Sequence, residues 1–261
     1  MPPLNHILFL DIETASQHNS FDELPKEWKE LWQAKAAVLQ KYHADITAEL
    51  LYNRAGIYAE FGKIICISCG ILKGHGTEKK LILKSFYSEN EHELLQEFCN
   101  MLQKWNPENT KFLCAHNGKE FDFPYLARRM TINGMKLPAC LQVSGKRPWE
   151  LPFLDTMELW KFGDYKSFTS LNLLAHTLGI PSPKDDIDGS MVSQMYWSAK
   201  TPDEKRENLL RIVEYCQKDV ITVAQVYLRL QGEDMIQPHN IEIKYSWNAS
   251  IMPPVLNGKI L

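Results

Sequence analysis

Two acidic residues, Asp11 and Glu13, stand at the end of a short apolar run near the start of the chain. The run, residues 6–13, is nearly continuous, which is typical of a central strand buried on both faces. Because side chains alternate along a strand, Asp11 and Glu13 share one face. Buried carboxylates are costly unless a positive charge neutralises them, and their hard oxygens favour Mg²⁺ or Mn²⁺ over zinc. The pair therefore indicates a metal site, with a strand end that has reached solvent as the alternative.

A second candidate carboxylate, Asp122, follows a strand predicted at 111–115. Pro124 suits the first turn of a helix, so Asp122 would lie at or just before the helix N-terminus, where the helix dipole favours an anion. The carboxyl ends of parallel strands are also where open α/β sheets bind ligands. A helix cap is the alternative for Asp122, and the same capping role is predicted for Asp155.

The third candidate segment is a long helix predicted near 203–231. Its apolar stripe advances in steps of four and three residues, and Tyr215 and Asp219 lie beside that stripe. They are one helical turn apart, so the phenol and the carboxylate point the same way at the edge of the core. A solvated aspartate and a half-buried tyrosine are the alternative.

Strands and helices that could position these residues follow one another along most of the chain. Strands are predicted at 6–13, 63–73, 80–87 and 111–115, and helices at 23–42, 91–105, 123–133, 167–178, 190–199 and 203–231. A turn-rich connection at 73–76 predicts antiparallel pairing, and the strand–helix unit at 111–133 predicts parallel pairing. The result is an α/β fold with a mixed sheet and helices on both faces. We expect a single domain over residues 1–261, with an inserted helical segment at about 21–55 and a C-terminal tail at about 233–261.

Composition and charge exclude several classes of protein. The 261 residues are 44% hydrophobic and 23% charged, which is ordinary for a globular protein and argues against disorder. The net charge of −3 excludes a broadly basic nucleic-acid-binding surface, so any such site must rest on a local basic rim or on bound cations. The six cysteines are predicted to be reduced core thiols. No run approaches the roughly 18 apolar residues of a membrane span, so we expect a cytoplasmic protein with no membrane partner.

Three segments of the chain together resemble the exonuclease motifs of the DEDD superfamily. They read Phe9-Leu10-Asp11-Ile12-Glu13-Thr14, then Asn117-Gly118-x-x-Phe121-Asp122-x-Pro124-Tyr125-Leu126-x-x-Arg129, then Tyr215-x-x-x-Asp219. The tyrosine four residues before the last aspartate resembles the tyrosine-type branch. The second segment is similar to the 3′–5′ proofreading exonuclease domain of B-family DNA polymerases. The resemblance implies a ribonuclease H-like fold and metal-dependent hydrolysis of a 3′-terminal phosphodiester.

The resemblance also implies a role for each carboxylate. Asp11 would bridge two cations, Mg²⁺ or Mn²⁺, and Glu13 and Asp219 would complete the coordination of the ion on the side of the nucleophile. Asp122 would bind the other ion. Such a pair of ions activates a water molecule and stabilises the leaving 3′ oxygen.

Four further residues are expected near the terminal nucleotide. Tyr215 would orient the attacking water, because an unperturbed phenol pKa near 10 makes it a poor base. Thr14 and Asn117 neighbour the metal ligands by motif, and Phe121 could stack on a terminal base. Phe168 is expected to pack in the core instead.

The expected function is a 3′–5′ exonuclease, without an attached polymerase domain, that releases nucleoside monophosphates. Its partner would be a nucleic acid with a free 3′ end, single-stranded DNA in the first instance, with DNA repair as one setting. An exoribonuclease is an alternative, because contacts to the 2′-OH decide between the sugars. A non-catalytic nucleic-acid-binding module on the same fold is the other alternative.

Overall fold

A sheet of six strands is the framework of the protein within residues 2–41, 46–164, 168–181 and 187–245, which the structure, a computed structural model, describes. The strands are β1 (Ile7–Ser16), β2 (Gly62–Lys73), β3 (Lys80–Tyr87), β4 (Phe112–Ala115), β5 (Phe153–Asp155) and β6 (Ile241–Tyr245). Their order is β5-β4-β1-β2-β3-β6. The β1–β2 and β2–β3 pairs are antiparallel, and the β1–β4, β4–β5 and β3–β6 pairs are parallel. The sheet is therefore mixed, as predicted.

Helices flank the sheet on both faces. They are α1 (Lys26–Leu39), α2 (Ala48–Leu51), α3 (Glu91–Trp105), α4 (Asp122–Ile132), α5 (Thr156–Trp160), α6 (Leu171–Thr177), α7 (Val192–Ser198) and α8 (Pro202–Leu230). Within the described part of the chain, none of these helices is both long and apolar enough to cross a membrane.

Strand β1 is buried on both faces, and the alternation of its side chains decides what each face contacts. Phe9 points toward α8, where its ring lies 5.5 Å from that of Tyr227 in an edge-to-face contact. Leu10 points to the opposite face and packs in a cluster with Phe98 of α3 and Leu126 of α4. This layering confirms the predicted α/β class with helices on both faces. It also turns Asp11, two residues after Phe9, toward α8.

The segment between β1 and β2 forms a small core of its own. Trp32 of α1 is fully buried there against Tyr52 and Phe61, and its indole N–H donates to the carbonyl of Ala48 at 2.8 Å. The helix predicted at 23–42 is thus present but shorter, and part of the predicted insertion, residues 42–45, lies outside the described residues. Gly56, at the end of the segment, lets the backbone approach β1 closely: a Cβ there would meet the Ala15 carbonyl carbon at 3.2 Å.

Outside the inserted segment, three elements were not predicted from the sequence: β5, α5 and β6. Strands β5 and β6 have three and five residues, too few for a recognisable alternation, and they form because β4 and β3 offer free edges. Strand β6 lies within the expected tail. The remainder of that tail, residues 246–261, lies outside the described residues.

Candidate functional site

The two carboxylates of β1 lie against the middle of α8. Glu13 is only 6% exposed, and Asp11 is partly buried. Ligand atoms of Asp11, Glu13 and Cys216 all lie within 4.8 Å of one another. The alternative of a strand end in solvent is therefore wrong for Glu13.

Asp122 joins the start of α4 to β1. It is the first residue of α4 and 3% exposed, and its carboxylate accepts a hydrogen bond from the Ile12 backbone N–H at 3.2 Å. Ile12 stands between the two acidic residues of β1, so this bond brings a third carboxylate to their strand. The capping alternative does not hold, because the N-cap position belongs to Phe121, whose side chain caps nothing.

The fourth carboxylate, Asp219, comes from α8 together with Tyr215. A side-chain hydrogen bond joins the two, with the phenol as donor. Burial raises the pKa of Tyr215, and the negative charges of Asp219, Glu13 and Asp11 raise it further. The phenol is therefore protonated at neutral pH and acts as a hydrogen-bond donor.

Electrostatic repulsion links the four carboxylates, although Asp122 and Asp219 lie outside the group of ligand atoms within 4.8 Å of one another. Burial raises the pKa of Asp11 well above its usual value, and Asp219 and Asp122 raise it further. Burial likewise raises the pKa of Glu13, followed by the charges of Asp11 and Asp219. Burial also raises the pKa of Asp122 to about 7, although hydrogen bonds from two backbone N–H groups oppose the shift.

Such a cluster calls for a positive countercharge. Among the described residues, no Lys, Arg or His forms an ion pair with Asp11 or Glu13. Buried carboxylates that repel one another and lack a basic partner are the donor set of a hard divalent cation. The residues present therefore fit Mg²⁺ or Mn²⁺.

Asp155 organises the loop that carries Asn117. It is the N-cap of α5, as predicted, and accepts from the backbone N–H of Met157 at 3.0 Å. The same carboxylate accepts from the N–H groups of Asn117 at 2.9 Å and Lys119 at 3.1 Å. Asn117 has a φ of +60°, a left-handed conformation that this anchoring helps to maintain.

The other two predicted substrate contacts, Thr14 and Phe121, meet at Tyr125. Thr14 forms a side-chain hydrogen bond with the Tyr125 hydroxyl, which donates to the Gly56 carbonyl at 2.6 Å. The ring of Phe121 is partly exposed and lies 5.3 Å from that of Tyr125. Both residues therefore border the end of β1 from which the carboxylates project.

The prediction that Phe168 packs in the core is wrong, because its side chain is 74% exposed. The helix predicted to begin at 167 begins at Leu171 instead, after the N-cap Ser170. The backbone carbonyl of residue 169 instead forms a hydrogen bond with the His116 ring, with Nε2 at 2.9 Å. Without a helical turn to direct it inward, the preceding phenylalanine points to solvent.

Cys216 is the site residue that the sequence did not single out. The sequence predicts only a reduced core thiol at this position, and Cys216 is indeed buried. Its Sγ lies 3.3 Å from Oδ2 of Asp11 and 3.4 Å from the Asp11 carbonyl. Burial raises the pKa of the thiol, and Cys66 adds to that shift. The apolar stripe of α8 could have indicated this contact. It packs on the face of β1 that carries Phe9, and Asp11 lies on the same face two residues further along.

Comparison with known proteins finds one family model and many solved structures that match. A family model described as "Predicted 3'-5' exonuclease related to the exonuclease domain of PolB" matches residues 57–246, more than half of the chain. Among solved structures, the family B DNA polymerase from the hyperthermophilic archaeon Pyrobaculum calidifontis is similar with 17% identity and a TM-score of 0.47. That match covers 87% of this chain and 25% of the polymerase, so the chain spans about a quarter of the polymerase's length. No curated protein matches the sequence.

Proposed function

Because the chain belongs to the family of predicted 3′–5′ exonucleases related to the exonuclease domain of PolB, we propose that it hydrolyses the 3′-terminal phosphodiester of single-stranded DNA in a metal-dependent reaction. The products are nucleoside monophosphates, released one at a time from the 3′ end. The observation that supports this most strongly is the electrostatic coupling of carboxylates from β1, α4 and α8: Asp219 and Asp122 raise the pKa of Asp11, and Asp11 and Asp219 raise the pKa of Glu13.

The four carboxylates are proposed to hold two cations, Mg²⁺ or Mn²⁺. Asp11 would be the ligand shared by both ions, Glu13 and Asp219 would complete one site, and Asp122 would complete the other. When bound, such ions lower the pKa of a water molecule and stabilise the leaving 3′ oxygen. The protein's own contribution is to hold the four carboxyl groups in place before the ions bind.

Tyr215 is proposed to orient the attacking water rather than to deprotonate it. Its pKa is raised by burial and by the neighbouring carboxylates, so it has no tendency to act as a base near neutral pH. Its hydrogen bond to Asp219 fixes the ring beside a proposed ligand.

Thr14, Asn117 and Phe121 are proposed to contact the terminal nucleotide. Phe121 supports a single-stranded substrate, because its partly exposed ring can stack on an unpaired base. We further propose that residues 1–261 act as one exonuclease domain. In that domain the inserted segment supports the site through the packing of Gly56 against β1.

The test uses 5′-labelled oligonucleotides: single-stranded DNA, duplex DNA and RNA of the same sequence, each incubated with Mn²⁺. Wild-type protein should shorten single-stranded DNA in one-nucleotide steps, and chelator should stop it. Asp11→Asn should lower the rate by roughly 10³-fold or more, because the shared ligand is lost. Glu207→Gln, at an exposed position of α8, serves as the matched control and should cleave like the wild type.

Three outcomes would change the proposal. No shortening of any substrate would contradict exonuclease activity. Faster shortening of RNA than of DNA would reassign the substrate to RNA. Undiminished cleavage by Asp11→Asn would exclude this site.

A further inference from the structure

A groove runs along the face of the sheet opposite α8, between α3 and the strands β2, β3 and β6. Its volume is about 720 Å³, which is within the range of ligand-binding sites. Ile71 and Ile82 are opposite each other on β2 and β3 and form an apolar floor, and both are partly exposed. Met101 and Trp105 of α3, also partly exposed, line it from the side. This α3 groove therefore leaves apolar side chains in contact with solvent.

Two pairs of lysines flank the apolar floor. Lys84 and Lys244 occupy neighbouring positions on β3 and β6. Lys73 and Lys80 are opposite each other on β2 and β3. Lys80, Ile82 and Lys84 share one face of β3 because side chains alternate along a strand, so the two lysine pairs lie about 13 Å apart, on either side of the isoleucines. The α3 groove is therefore apolar along its centre and basic on both sides.

These lysines have few acidic partners. Among the described residues, neither Lys73 nor Lys84 forms an ion pair. Lys244 pairs with Glu242 at 3.6 Å, but both side chains are more than half exposed, so the pair contributes little. Glu97 of α3 is the one acidic side chain among the described residues that line the groove. Since like charges on neighbouring strands repel each other, the groove favours an anionic ligand, although the chain as a whole has a net charge of −3.

An apolar floor with basic sides matches the chemistry of a single-stranded nucleic acid. Unpaired bases have apolar faces and bind exposed apolar and aromatic side chains, on open sheet surfaces in particular. The phosphates of the same strand are then held by lysines, which contact them without regard to sequence. Lys104 of α3, which lines the groove beside Trp105, adds a further positive charge. Such a strand uses both the charge and the apolar surface of the groove, whereas a free phosphate would use only the charge.

We propose that the α3 groove is a second binding site for single-stranded nucleic acid, which holds a part of the strand distant from its 3′ end. Asp11 projects from β1 toward Cys216 of α8, whereas the groove lies on the other face of the sheet. A strand must therefore be long enough to pass around the edge of the sheet to occupy both sites, and long strands should bind more tightly than short ones. The occupation of both sites by one strand rests on the proposed function, whereas binding in the groove does not.

Binding is tested by the fluorescence anisotropy of a labelled single-stranded DNA of about 30 nucleotides, longer than a typical single-strand site, in chelator so that no cleavage occurs. Each lysine that contacts a phosphate contributes about 0.7 to the magnitude of the slope of log affinity against log salt. Lys84→Gln/Lys244→Gln should therefore reduce that magnitude by about 1.4 and weaken binding at least fivefold at low salt. Lys26→Gln/Lys41→Gln, which removes two exposed lysines from the inserted segment, is the matched control and should bind like the wild type.

A second variant, Lys73→Gln/Lys80→Gln, tests the other side of the groove and should cause a similar loss. All four lysines are exposed or partly exposed, so neither variant disturbs the core. Unchanged affinity and salt dependence in both variants would overturn the proposal. An equal loss in the control would also overturn it, because the lysines would then act through net charge alone. Wild-type protein that binds polyglutamate but no DNA would assign the groove to an acidic protein instead, which contradicts the proposal as well.

The link to catalysis is tested by cleavage with Mn²⁺. For the long strand, Lys84→Gln/Lys244→Gln should raise KM at least fivefold, whereas KM for a strand of about 5 nucleotides, near the lower limit of single-strand site sizes, should be that of the wild type. The rate constant kcat should not change for either strand, because the carboxylate site is intact. An unchanged KM for the long strand would overturn the occupation of both sites by one strand. Wild-type protein that binds DNA through the groove but cleaves neither strand would contradict the proposed function and leave the groove site intact.

Discussion

At Asp11, Glu13 and Asp122, the requirements of folding oppose those of ion binding. Burial and mutual repulsion raise the pKa of each carboxyl group, so the folded protein resists their ionisation. The same ionisation is what a divalent cation needs. Metal-free protein should therefore be destabilised by the charges that the proposed metal site requires.

The pH dependence of stability tests this conflict at Asp122, whose pKa rises to about 7. Between its ordinary value near 4 and that value, the unfolded chain releases a proton that the folded protein retains. This group therefore lowers the free energy of unfolding as pH rises from about 4 to 7, by at most about 1.4 kcal/mol per pH unit. Asp122→Asn removes the contribution and should give a flatter curve.

The measurement is urea unfolding in chelator at several pH values across that window. Asp203→Asn, at an exposed position at the start of α8, is the control and should follow the wild-type curve. Equal slopes for wild type and Asp122→Asn would show that Asp122 ionises as freely in the folded protein as in the unfolded chain.

Tyr215→Phe should slow cleavage but not abolish it. The change removes one hydrogen bond to a carboxylate, about 1.5–3 kcal/mol, which corresponds to roughly 10- to 150-fold in rate. Asp219→Asn should cost more, because it removes a proposed ligand. The comparison is the rate constant kcat with Mn²⁺ and saturating single-stranded DNA, and equal losses in both variants would assign Tyr215 a larger role than orientation.

At the scale of elements, one carboxylate fixes the loop that leads into α4. Asp155 accepts hydrogen bonds from Asn117, Lys119, Met157 and Glu158, so it caps α5 and holds residues 117–119 at once. Asp155→Ala should lower the free energy of unfolding by about 2–4 kcal/mol, from a lost cap and from buried donors left unpaired. Urea unfolding measures this, and a change below about 0.5 kcal/mol would show that the loop is held by other contacts.

A buried ion pair fixes the other end of α4. Arg129 donates to both oxygens of Glu91 at the start of α3, at 2.9 and 2.5 Å, and to the Ala59 carbonyl at 2.8 Å. Glu91 also accepts from the Ile64 backbone N–H at 2.7 Å. The arginine of the second sequence motif therefore positions α4 and is not free to contact substrate.

Breaking that pair should destabilise the fold. Arg129→Met leaves a buried carboxylate without its partner, at a cost of about 3–5 kcal/mol. The double variant Arg129→Met/Glu91→Met removes both charges and should recover part of the loss in urea unfolding. A double variant that is less stable than Arg129→Met would contradict this, because it would mean that the Glu91 carboxylate stabilises the fold through contacts other than the ion pair.

The long amphipathic elements could be predicted from the sequence, whereas the short strands β5 and β6 could not. Helix α8, Pro202–Leu230, agrees with the predicted 203–231 because its apolar stripe extends over many turns. Strands β5 and β6 form by pairing with β4 and β3, which are distant in the chain, so no local sequence pattern predicts them. The same is true of Cys216, whose role depends on which β1 residue its turn faces.

At the scale of the whole molecule, the slightly acidic net charge is consistent with the proposal that bound cations, rather than a broadly basic surface, attract the substrate phosphate to the catalytic site. The net charge is −3, and four of the 32 acidic residues belong to the proposed site, where the substrate phosphate would bind. Motif order and spacing allowed those four residues to be selected from a sequence of 261. Their convergence depends on the sheet order and on the hydrogen bond between Asp122 and Ile12, which only three-dimensional structure provides.

The most direct test of the central claim is the number of Mn²⁺ ions that bind, measured by calorimetric titration of metal-free protein in the presence of a nucleoside monophosphate. Wild-type protein should bind two ions, and Asp11→Asn should lose both, because Asp11 is the shared ligand. Glu207→Gln should bind like the wild type. If the wild type binds no Mn²⁺ at millimolar concentration, or if Asp11→Asn binds as many ions as the wild type, the four carboxylates do not form a metal centre.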